Sequence, residues 1–317
     1  MNWFFKEVPV YDSEKSSLPH EVKEAVRVLG DYLKQNENYA DLFYFAQKEG
    51  GVSVLPNHFY TPIPDVFNLP QKTFQKSSLV QIEKKYENQL RLAQEFFQFK
   101  TEYESYPIDY VPNRFYYNNN MFVGSDPKLL HCFVRYFKPN KVIEVGSGFS
   151  TLLINDALIR NGKGEVIAIE PYPRDFLKDG MEKLSQLVEM KVEDVDVSLF
   201  EQLNENDILF IDSSHVLKLG SDVAYLYLEI IPRLKPGVLV HIHDICLPYY
   251  YPKHWVLEFP RLWNESYFLQ ALLQGNTRLE IMFGSFMLWD YLQENKIEPT
   301  VIDKGLLGGG SFWMRKS

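Results

Sequence analysis

Apolar residues follow two different patterns in the second part of the chain. Runs rich in consecutive apolar residues predict buried β-strands, which are KVIEV (141–145), EVIAIE (165–170), VEMKV (188–192), DILFID (207–212) and GVLVHIHD (237–244). Between them, apolar residues recur every three or four positions, which predicts helices over residues 149–160, 174–187 and 222–234. Strands without polar alternation are typical of a parallel sheet that is covered by helices on both faces.

This alternation predicts an α/β fold with a doubly wound, mostly parallel, Rossmann-like sheet over residues 121–317. The strand-like LEIMFGS (279–285) and the C-terminal GGGSFWMRKS (308–317) predict an antiparallel hairpin at one edge of that sheet. In doubly wound sheets, ligands bind outside the carboxyl ends of the strands. Functional side chains are therefore expected where each strand ends.

Residues 1–120 lack this alternation and predict a mainly helical N-terminal extension. Helical periodicity predicts one helix over residues 20–35 and a longer one over residues 77–104. We expect the chain to divide near residue 120. The extension is expected to make oligomer contacts or to supply a wall of the substrate pocket, through Tyr60 or the patch Tyr116–Asn120.

Composition and charge exclude several classes of protein. The 33 basic and 42 acidic residues give a net charge of −9, whereas a general nucleic-acid binder should be basic. The two cysteines, Cys132 and Cys246, form no CxxC motif and provide no disulfide framework, which favours a reduced, cytoplasmic setting. The N-terminus lacks the pattern of a signal peptide, and no apolar run is long enough to span a membrane. We therefore expect neither a nucleic acid nor a membrane as a partner.

The first predicted strand leads into a short loop that contains Gly146, Ser147 and Gly148. Glycine permits a tight turn and a close approach of the backbone to a ligand. A dinucleotide fingerprint requires a third small residue, where this chain has Thr151. Glu144, just before the loop, would repel a pyrophosphate and attract a sulfonium or an ammonium group. An NAD-dependent dehydrogenase is therefore the least favoured of the alternatives.

The second predicted strand ends in Glu170. A carboxylate at this point can accept two hydrogen bonds from a ribose diol, as in NAD sites and adenosyl sites. The loop and this acid together favour a nucleoside-containing cofactor.

In order along the chain, VIEVGSGFST, VIAIEP, DILFIDSSH and LKPGVLVHIHD resemble the motifs of class I S-adenosylmethionine-dependent methyltransferases. The resemblance covers about residues 121–317 and implies S-adenosyl-L-methionine as the cofactor. It implies that the loop at Gly146–Gly148 passes the methionine part and that Glu170 holds the ribose. Asp194 is expected near the adenine.

Further acidic residues and histidines follow the fourth and fifth predicted strands. Asp212 ends one, His243 and Asp244 end the other, and adjacent parallel strands bring these ends together. The arrangement resembles the metal-dependent O-methyltransferases of the catechol, caffeoyl-CoA and macrolide-sugar types. That resemblance implies a divalent metal (Mg²⁺, Mn²⁺ or Fe²⁺) on Asp212, His243 and Asp244. An acid is usual at the position of His243, and an imidazole shifts the metal preference away from Mg²⁺.

His215 lies three residues after Asp212, where the catechol-type enzymes carry a lysine base. An imidazole with an ordinary pKa can remove a hydroxyl proton near neutral pH. We therefore expect Asp212 and His215 to be catalytic, although His215 as a metal ligand or a helix cap stays open. Asp244 is also usual in metal-free methyltransferases of this fold, so the metal itself stays open. His241 is expected to be buried and hydrogen-bonded, and His58 and His254 to lie at the surface.

These residues predict a methyltransferase that acts on a hydroxyl of a small molecule. Two other classes stay open: an iron oxygenase-like enzyme or metallohydrolase, and a non-catalytic adenosyl-binding module. The proline-punctuated, aromatic residues 245–263 are expected to form a lid over the substrate. The sequence does not decide between a monomer and a homo-oligomer.

Overall fold

The computed structural model describes residues 3–9, 11–36, 38–298 and 302–317. The chain forms two compact units. The larger contains residues 75–251 and 263–317, and the smaller contains the residues up to 74 together with residues 252–262. This boundary differs from the predicted division near residue 120, because the helix formed by residues 86–96 packs on the sheet.

Eleven α-helices lie in the described ranges. They are α1 (His20–Gln35), α2 (Ala40–Gly50), α3 (Tyr86–Phe96), α4 (Lys100–Tyr103), α5 (Asp126–Phe137), α6 (Phe149–Asn161), α7 (Asp175–Lys178), α8 (Asp222–Tyr225), α9 (Lys253–Leu257), α10 (Glu265–Leu273) and α11 (Ser285–Glu294). Helix α3 continues into a 3₁₀ turn (Phe97–Phe99) and α8 into a π-helical segment (Leu226–Ile230). None of the helices in the described ranges has the length and apolarity of a membrane span.

A seven-stranded sheet organises the larger unit. Its strands are β1 (Lys141–Val145), β2 (Glu165–Ile169), β3 (Leu184–Val188), β4 (Ile208–Ile211), β5 (Leu239–Ile242), β6 (Leu279–Gly284) and β7 (Phe312–Lys316). The spatial order is β3-β2-β1-β4-β5-β7-β6, with β1 to β5 parallel and β7 antiparallel to both of its neighbours. This confirms the predicted Rossmann-like α/β fold and the C-terminal antiparallel hairpin.

Hydrophobic clusters cover both faces of the sheet, as the continuous apolar strands predict. Along β1, Ile143 and Val145 contribute to one cluster, whereas Val142 contributes to the other. Glu144 shares the face of Val142, since side chains alternate along a strand. A carboxylate is therefore placed inside a core layer, where its exposed fraction is 0%.

Two predicted helices are wrong in part. The helix predicted over residues 77–104 begins only at Tyr86, because Leu79, Gln81 and Lys85 have positive φ angles that break helical geometry. The helix predicted over residues 174–187 is confined to α7, and Gly180 turns the chain with a φ of 81°. The third strand therefore comes earlier than VEMKV (188–192), at Leu184–Val188.

In the smaller unit, the N-terminal segment packs on α9. The rings of Trp3 and Trp255 lie 5.6 Å apart, and the Lys6 ammonium lies 2.8 Å from the Glu258 carboxylate. His254 is 7% exposed, so its predicted surface position is wrong, whereas His58 is exposed. Of the residues predicted to form a lid, residues 252–262 belong to the smaller unit, and residues 245–251 and 263 belong to the larger.

Candidate functional site

The loop after β1 rests directly against the end of β4. Gly146 has a φ of 81°, and a Cβ atom built on it would lie 1.8 Å from the carbonyl oxygen of Asp212. Its N–H donates to the Ile169 carbonyl at 3.0 Å, and the Asp212 N–H donates to the Val145 carbonyl at 2.9 Å. Glycine is required here both for the backbone conformation and for the close approach.

Glu144 supports this loop from beneath. The Thr151 hydroxyl donates to Glu144 Oε2 at 2.5 Å and accepts from the Gly148 N–H at 3.0 Å. Burial raises the pKa of Glu144 to about 7, against the opposing effect of hydrogen bonds from Ser150, Thr151 and Ser147. Glu144 is thus fully enclosed, and Thr151, which breaks the dinucleotide fingerprint, connects it to the glycine loop.

The buried charge predicts a pH-dependent stability difference for Glu144→Gln. The unfolded chain releases the Glu144 proton near the ordinary carboxyl pKa of 4.5, whereas the folded protein holds it up to about pH 7. The stability of the fold therefore falls between about pH 4.5 and pH 7, and the full loss is present above pH 7. The shift corresponds to about 3 kcal/mol. Free energies of unfolding from urea denaturation should therefore differ little between the two proteins near pH 4, and should favour Glu144→Gln by about 3 kcal/mol at pH 8. An equal difference at both pH values would contradict this, and exposed Glu189→Gln is the matched control.

A cavity of about 390 Å³ opens at the carboxyl ends of β1, β2 and β4. Its lining includes Gly146, Ile169, Glu170, Glu193, Asp212 and Ser213. Glu170 Oε2 accepts from the Ser147 N–H at 3.2 Å, and its Oε1 accepts from the Tyr172 N–H at 2.9 Å. These bonds fix the carboxylate at the rim and leave further lone pairs for a ligand. We call this cavity the strand-end cleft.

Asp194 does not line the strand-end cleft. It is exposed, and the preceding residue, Glu193, lines the cavity instead. Both belong to a 3₁₀ turn (Val192–Asp194), in which successive side chains point in different directions. The predicted turn therefore lies at the cleft, and the acid of this turn that lines it is Glu193.

A cluster of acids and histidines adjoins the cleft. We call it the acid–imidazole cluster; it consists of Asp126, Asp212, His215, His243, Asp244 and Glu265. Asp212 Oδ1 lies 3.2 Å from His243 Nδ1 and 3.4 Å from His215 Nε2. Asp244 lies 3.6 Å from His243 Nδ1 and 3.7 Å from His215 Nε2. The predicted convergence of the ends of β4 and β5 therefore brings all four predicted residues together.

Each imidazole also meets a carboxylate on its other nitrogen. His215 Nδ1 lies 2.9 Å from Glu265 Oε2, in a hydrogen bond. His243 Nε2 lies 3.4 Å from Asp126 Oδ2, and Asp126 also accepts from the backbone N–H groups of Gly310 and Ser311. Sequence reasoning missed Glu265 and Asp126, because each begins a helix and has the appearance of an ordinary first-turn acid.

The carboxylates control the protonation of both rings. Burial disfavours a charged ring, but hydrogen bonds to Asp212 and Glu265 outweigh it and raise the pKa of His215 to about 10. The same competition raises the pKa of His243 well above its usual range, through Asp212 and Asp244. Burial opposes charge on Asp212, yet the two imidazoles lower the pKa of Asp212 below its usual range. This arrangement therefore favours the charged, doubly protonated form of both rings.

The predicted metal ligands face one another as ion pairs. Among residues 3–9, 11–36, 38–298 and 302–317, no group of three or more His, Cys, Asp or Glu side chains has an arrangement that could hold a metal ion. Asp212, His243 and Asp244 instead form the pairs described above. In this geometry the three residues do not fit the metal that the sequence resemblance implies.

Aromatic side chains flank both histidines of the cluster. The ring of Trp263 lies 4.4 Å from that of His215, and the ring of Phe122 lies 5.3 Å from that of His243. Phe122, which lies two residues after the patch Tyr116–Asn120, therefore borders the cluster. His241 is buried, stacks on Phe210 at 4.1 Å and lies 3.2 Å from the Ser311 hydroxyl, as predicted.

Comparisons with known proteins match part of this chain to a methyltransferase family. A family model described as a methyltransferase domain matches residues 143–245. An uncharacterized protein of Archaeoglobus fulgidus is 32% identical over 173 residues, which cover 51% of this chain and 78% of that protein.

Two solved structures are similar at a greater distance. A putative methyltransferase from Thermobifida fusca is 12% identical, with a TM-score of 0.41, over 60% of this chain and 78% of that chain. An O-methyltransferase from Bacillus cereus, solved in complex with SAH, is 14% identical, with a TM-score of 0.38, over 71% of this chain and 89% of that chain.

The matched residues 143–245 contain the glycine loop, Glu170 and the ends of β4 and β5. These are the features that form the strand-end cleft and its border with the acid–imidazole cluster. The chain belongs to the class I S-adenosylmethionine-dependent methyltransferases.

Proposed function

We propose that this enzyme transfers the methyl group of S-adenosylmethionine to a hydroxyl oxygen of a small molecule. One observation carries the proposal: Asp212 lines the strand-end cleft and also belongs to the acid–imidazole cluster. A cofactor in the cleft would therefore lie beside groups that can bind a hydroxyl and move its proton. Methyl transfer to oxygen requires both.

In the proposed reaction, His215 Nε2 takes the hydroxyl proton as the oxygen attacks the methyl carbon. The carbon–sulfur bond breaks, and its electron pair stays on sulfur, which leaves S-adenosylhomocysteine. A ring that already carries a proton cannot accept another, so His215 must enter this step as the neutral imidazole. The surrounding carboxylates then make it a strong acceptor, and orientation of the two substrates supplies much of the rate.

We further propose that Glu170 holds the ribose of the cofactor and that Glu193 lies towards the adenine. Glu170→Ala should weaken binding of S-adenosylhomocysteine about 100-fold in a calorimetric titration, because two hydrogen bonds to a charged acceptor are lost. Glu189→Ala, an exposed acid outside the cleft lining, should bind as the wild type does. Equal affinities of Glu170→Ala and the wild type would remove Glu170 from the cofactor site.

Simple hydroxyl compounds can stand in for the natural methyl acceptor. Radiolabelled methyl from S-adenosylmethionine should pass to at least one of three probes: catechol, phenol or methyl glucoside. Asp212→Asn should bind S-adenosylhomocysteine and fail to label the probe. Transfer by Asp212→Asn at the wild-type rate would contradict the assigned role of the cluster.

Metal assistance is a separate question, and the proposal assigns no step to a cation. Mn²⁺ and Mg²⁺ can be titrated into chelator-treated protein that holds S-adenosylhomocysteine, with thermal stability as the readout. A saturable rise in Tm that Asp244→Ala lacks would add a metal to the site. Without such a rise, the proton-bound cluster described above is the working arrangement.

Several expectations from the sequence stay predictions. These are the cytoplasmic location, the lid function of residues 245–263 and the absence of a nucleic-acid partner. The described residues give no support to the oxygenase-like, metallohydrolase or non-catalytic alternatives.

A further inference from the structure

Glu265 places a carboxylate in a fully enclosed position. Its exposed fraction is 0%, and its Oε2 lies 2.9 Å from His215 Nδ1. Burial, together with the Glu265 carboxylate beside it, raises the pKa of the Tyr227 hydroxyl well above its usual range. Burying a carboxylate destabilises the fold unless the charge is paired. If this position served only to fill the core, an apolar side chain would stabilise the fold more. The charge of Glu265 is therefore matched to His215.

The residues around Glu265 hold the His215 backbone as well. The N–H groups of Asn264 and Glu265 both donate to the His215 carbonyl at 3.2 Å. The Asn264 side chain accepts from the Leu217 N–H at 2.6 Å and donates to the Leu217 carbonyl at 3.2 Å. The ring of Trp263 also packs against that of His215. Three consecutive residues therefore contact residues 215–217. We call Trp263, Asn264 and Glu265 the latch.

The contacts of the latch set the orientation of the His215 ring, and so decide which carboxylates each ring nitrogen meets. His215 has a φ of 61°, a conformation that a non-glycine residue adopts only when its surroundings impose it. With Nδ1 bound to Glu265, Nε2 faces Asp212 and Asp244. A ring freed from Glu265 could rotate and present either nitrogen, or neither, to the substrate.

We propose that Glu265 is a positioning residue, which orients His215 Nε2 towards the substrate hydroxyl and takes no part in the bond changes itself. This inference rests on the proposed function, in which His215 accepts the hydroxyl proton. Its physical content is a hydrogen bond from His215 Nδ1–H to Glu265, and that bond can be observed without turnover.

The first measurement is a proton NMR spectrum of the protein with isotope-labelled histidine and bound S-adenosylhomocysteine. A Nδ1–H proton held by a carboxylate should give a far-downfield resonance, which His215→Gln abolishes. Glu265→Gln should shift this resonance upfield, because the acceptor loses its charge. Asp290→Asn, which removes a buried acid paired with Lys76, is the matched control and should leave it in place.

The second measurement separates positioning from structural support. With the best probe among catechol, phenol and methyl glucoside, Glu265→Gln should lower kcat about 100-fold, the lower end of what a positioned base contributes. KM and the affinity for S-adenosylhomocysteine should change less than about threefold, since no binding contact is lost. Glu265→Asp keeps the charge and should recover part of kcat; it also serves if Glu265→Gln does not fold.

The outcomes distinguish the two proposals. An unchanged resonance and an unchanged kcat in Glu265→Gln overturn the positioning role. A fall in kcat that only accompanies loss of folding or of S-adenosylhomocysteine binding in both variants also overturns it. If the wild type methylates none of the probes while the resonance behaves as expected, the proposed O-methylation fails and the Glu265–His215 pairing stands.

Discussion

Gly146→Ala should destabilise the protein by about 3 kcal/mol and weaken S-adenosylhomocysteine binding ~100-fold or more. The added Cβ would lie 1.8 Å from the Asp212 carbonyl oxygen, and that neighbour is backbone, which cannot rotate aside. Either β1 or the end of β4 must therefore move. Since Asp212 joins the cleft to the acid–imidazole cluster, the displacement should affect cofactor and substrate sites together.

Gly162→Ala is the matched control for this effect. Gly162 ends α6 with a φ of 67°, and a Cβ there meets no atom within 4 Å. Like Gly146→Ala, Gly162→Ala places an alanine in the left-handed backbone region, which costs about 1 kcal/mol. Unlike Gly146→Ala, it introduces no steric clash. Urea denaturation and calorimetric titration of both variants separate the two contributions. Equal losses of stability and of S-adenosylhomocysteine affinity in the two variants would show that the close approach of the loop to β4 is unimportant.

His215→Ala should lower kcat by about 10²–10⁴-fold and leave S-adenosylhomocysteine binding unchanged. The ring contacts Asp212, Asp244 and Glu265, and it is absent from the lining of the strand-end cleft. Its loss should therefore affect the proton transfer and spare the cofactor. The measurement is methyl transfer to the best probe, with calorimetry on the same preparation.

His58→Ala removes an exposed imidazole and should behave as the wild type does. Unchanged turnover in His215→Ala would eliminate His215 as the proton acceptor. Loss of cofactor binding in His215→Ala would assign the residue to the support of the cleft.

The sequence predicted the positions of those candidate-site residues that lie at strand ends. Gly146, Glu170, Asp212 and His243 each follow an apolar run, and parallel strands bring such ends to one edge of the sheet. Adjacent pairing of β4 with β5 was enough to predict that Asp212 and His243 meet. Local pattern and a general rule of topology were sufficient here.

The sequence failed where contacts depend on distant segments. Glu265 and Asp126 lie 50 and 117 positions along the chain from the histidines they contact, and nothing local distinguishes them from helix-start acids. The ordinary pKa expected for His215 likewise differs from the structure, because the carboxylates that raise it come from three different elements. The helix predicted over residues 77–104 fails for a similar reason: Leu79 and Ile82 are buried in the core of the sheet unit without forming a helix.

The most direct test of the central claim is the identity of the atom that receives the methyl group. S-Adenosylmethionine with an isotope-labelled methyl carbon is incubated with the enzyme and the best probe, and the product is identified by NMR. The account predicts an O-methyl product from the wild type and none from Asp212→Asn, although that variant still binds S-adenosylhomocysteine. A label on carbon, or equal O-methyl product from Asp212→Asn, would contradict it.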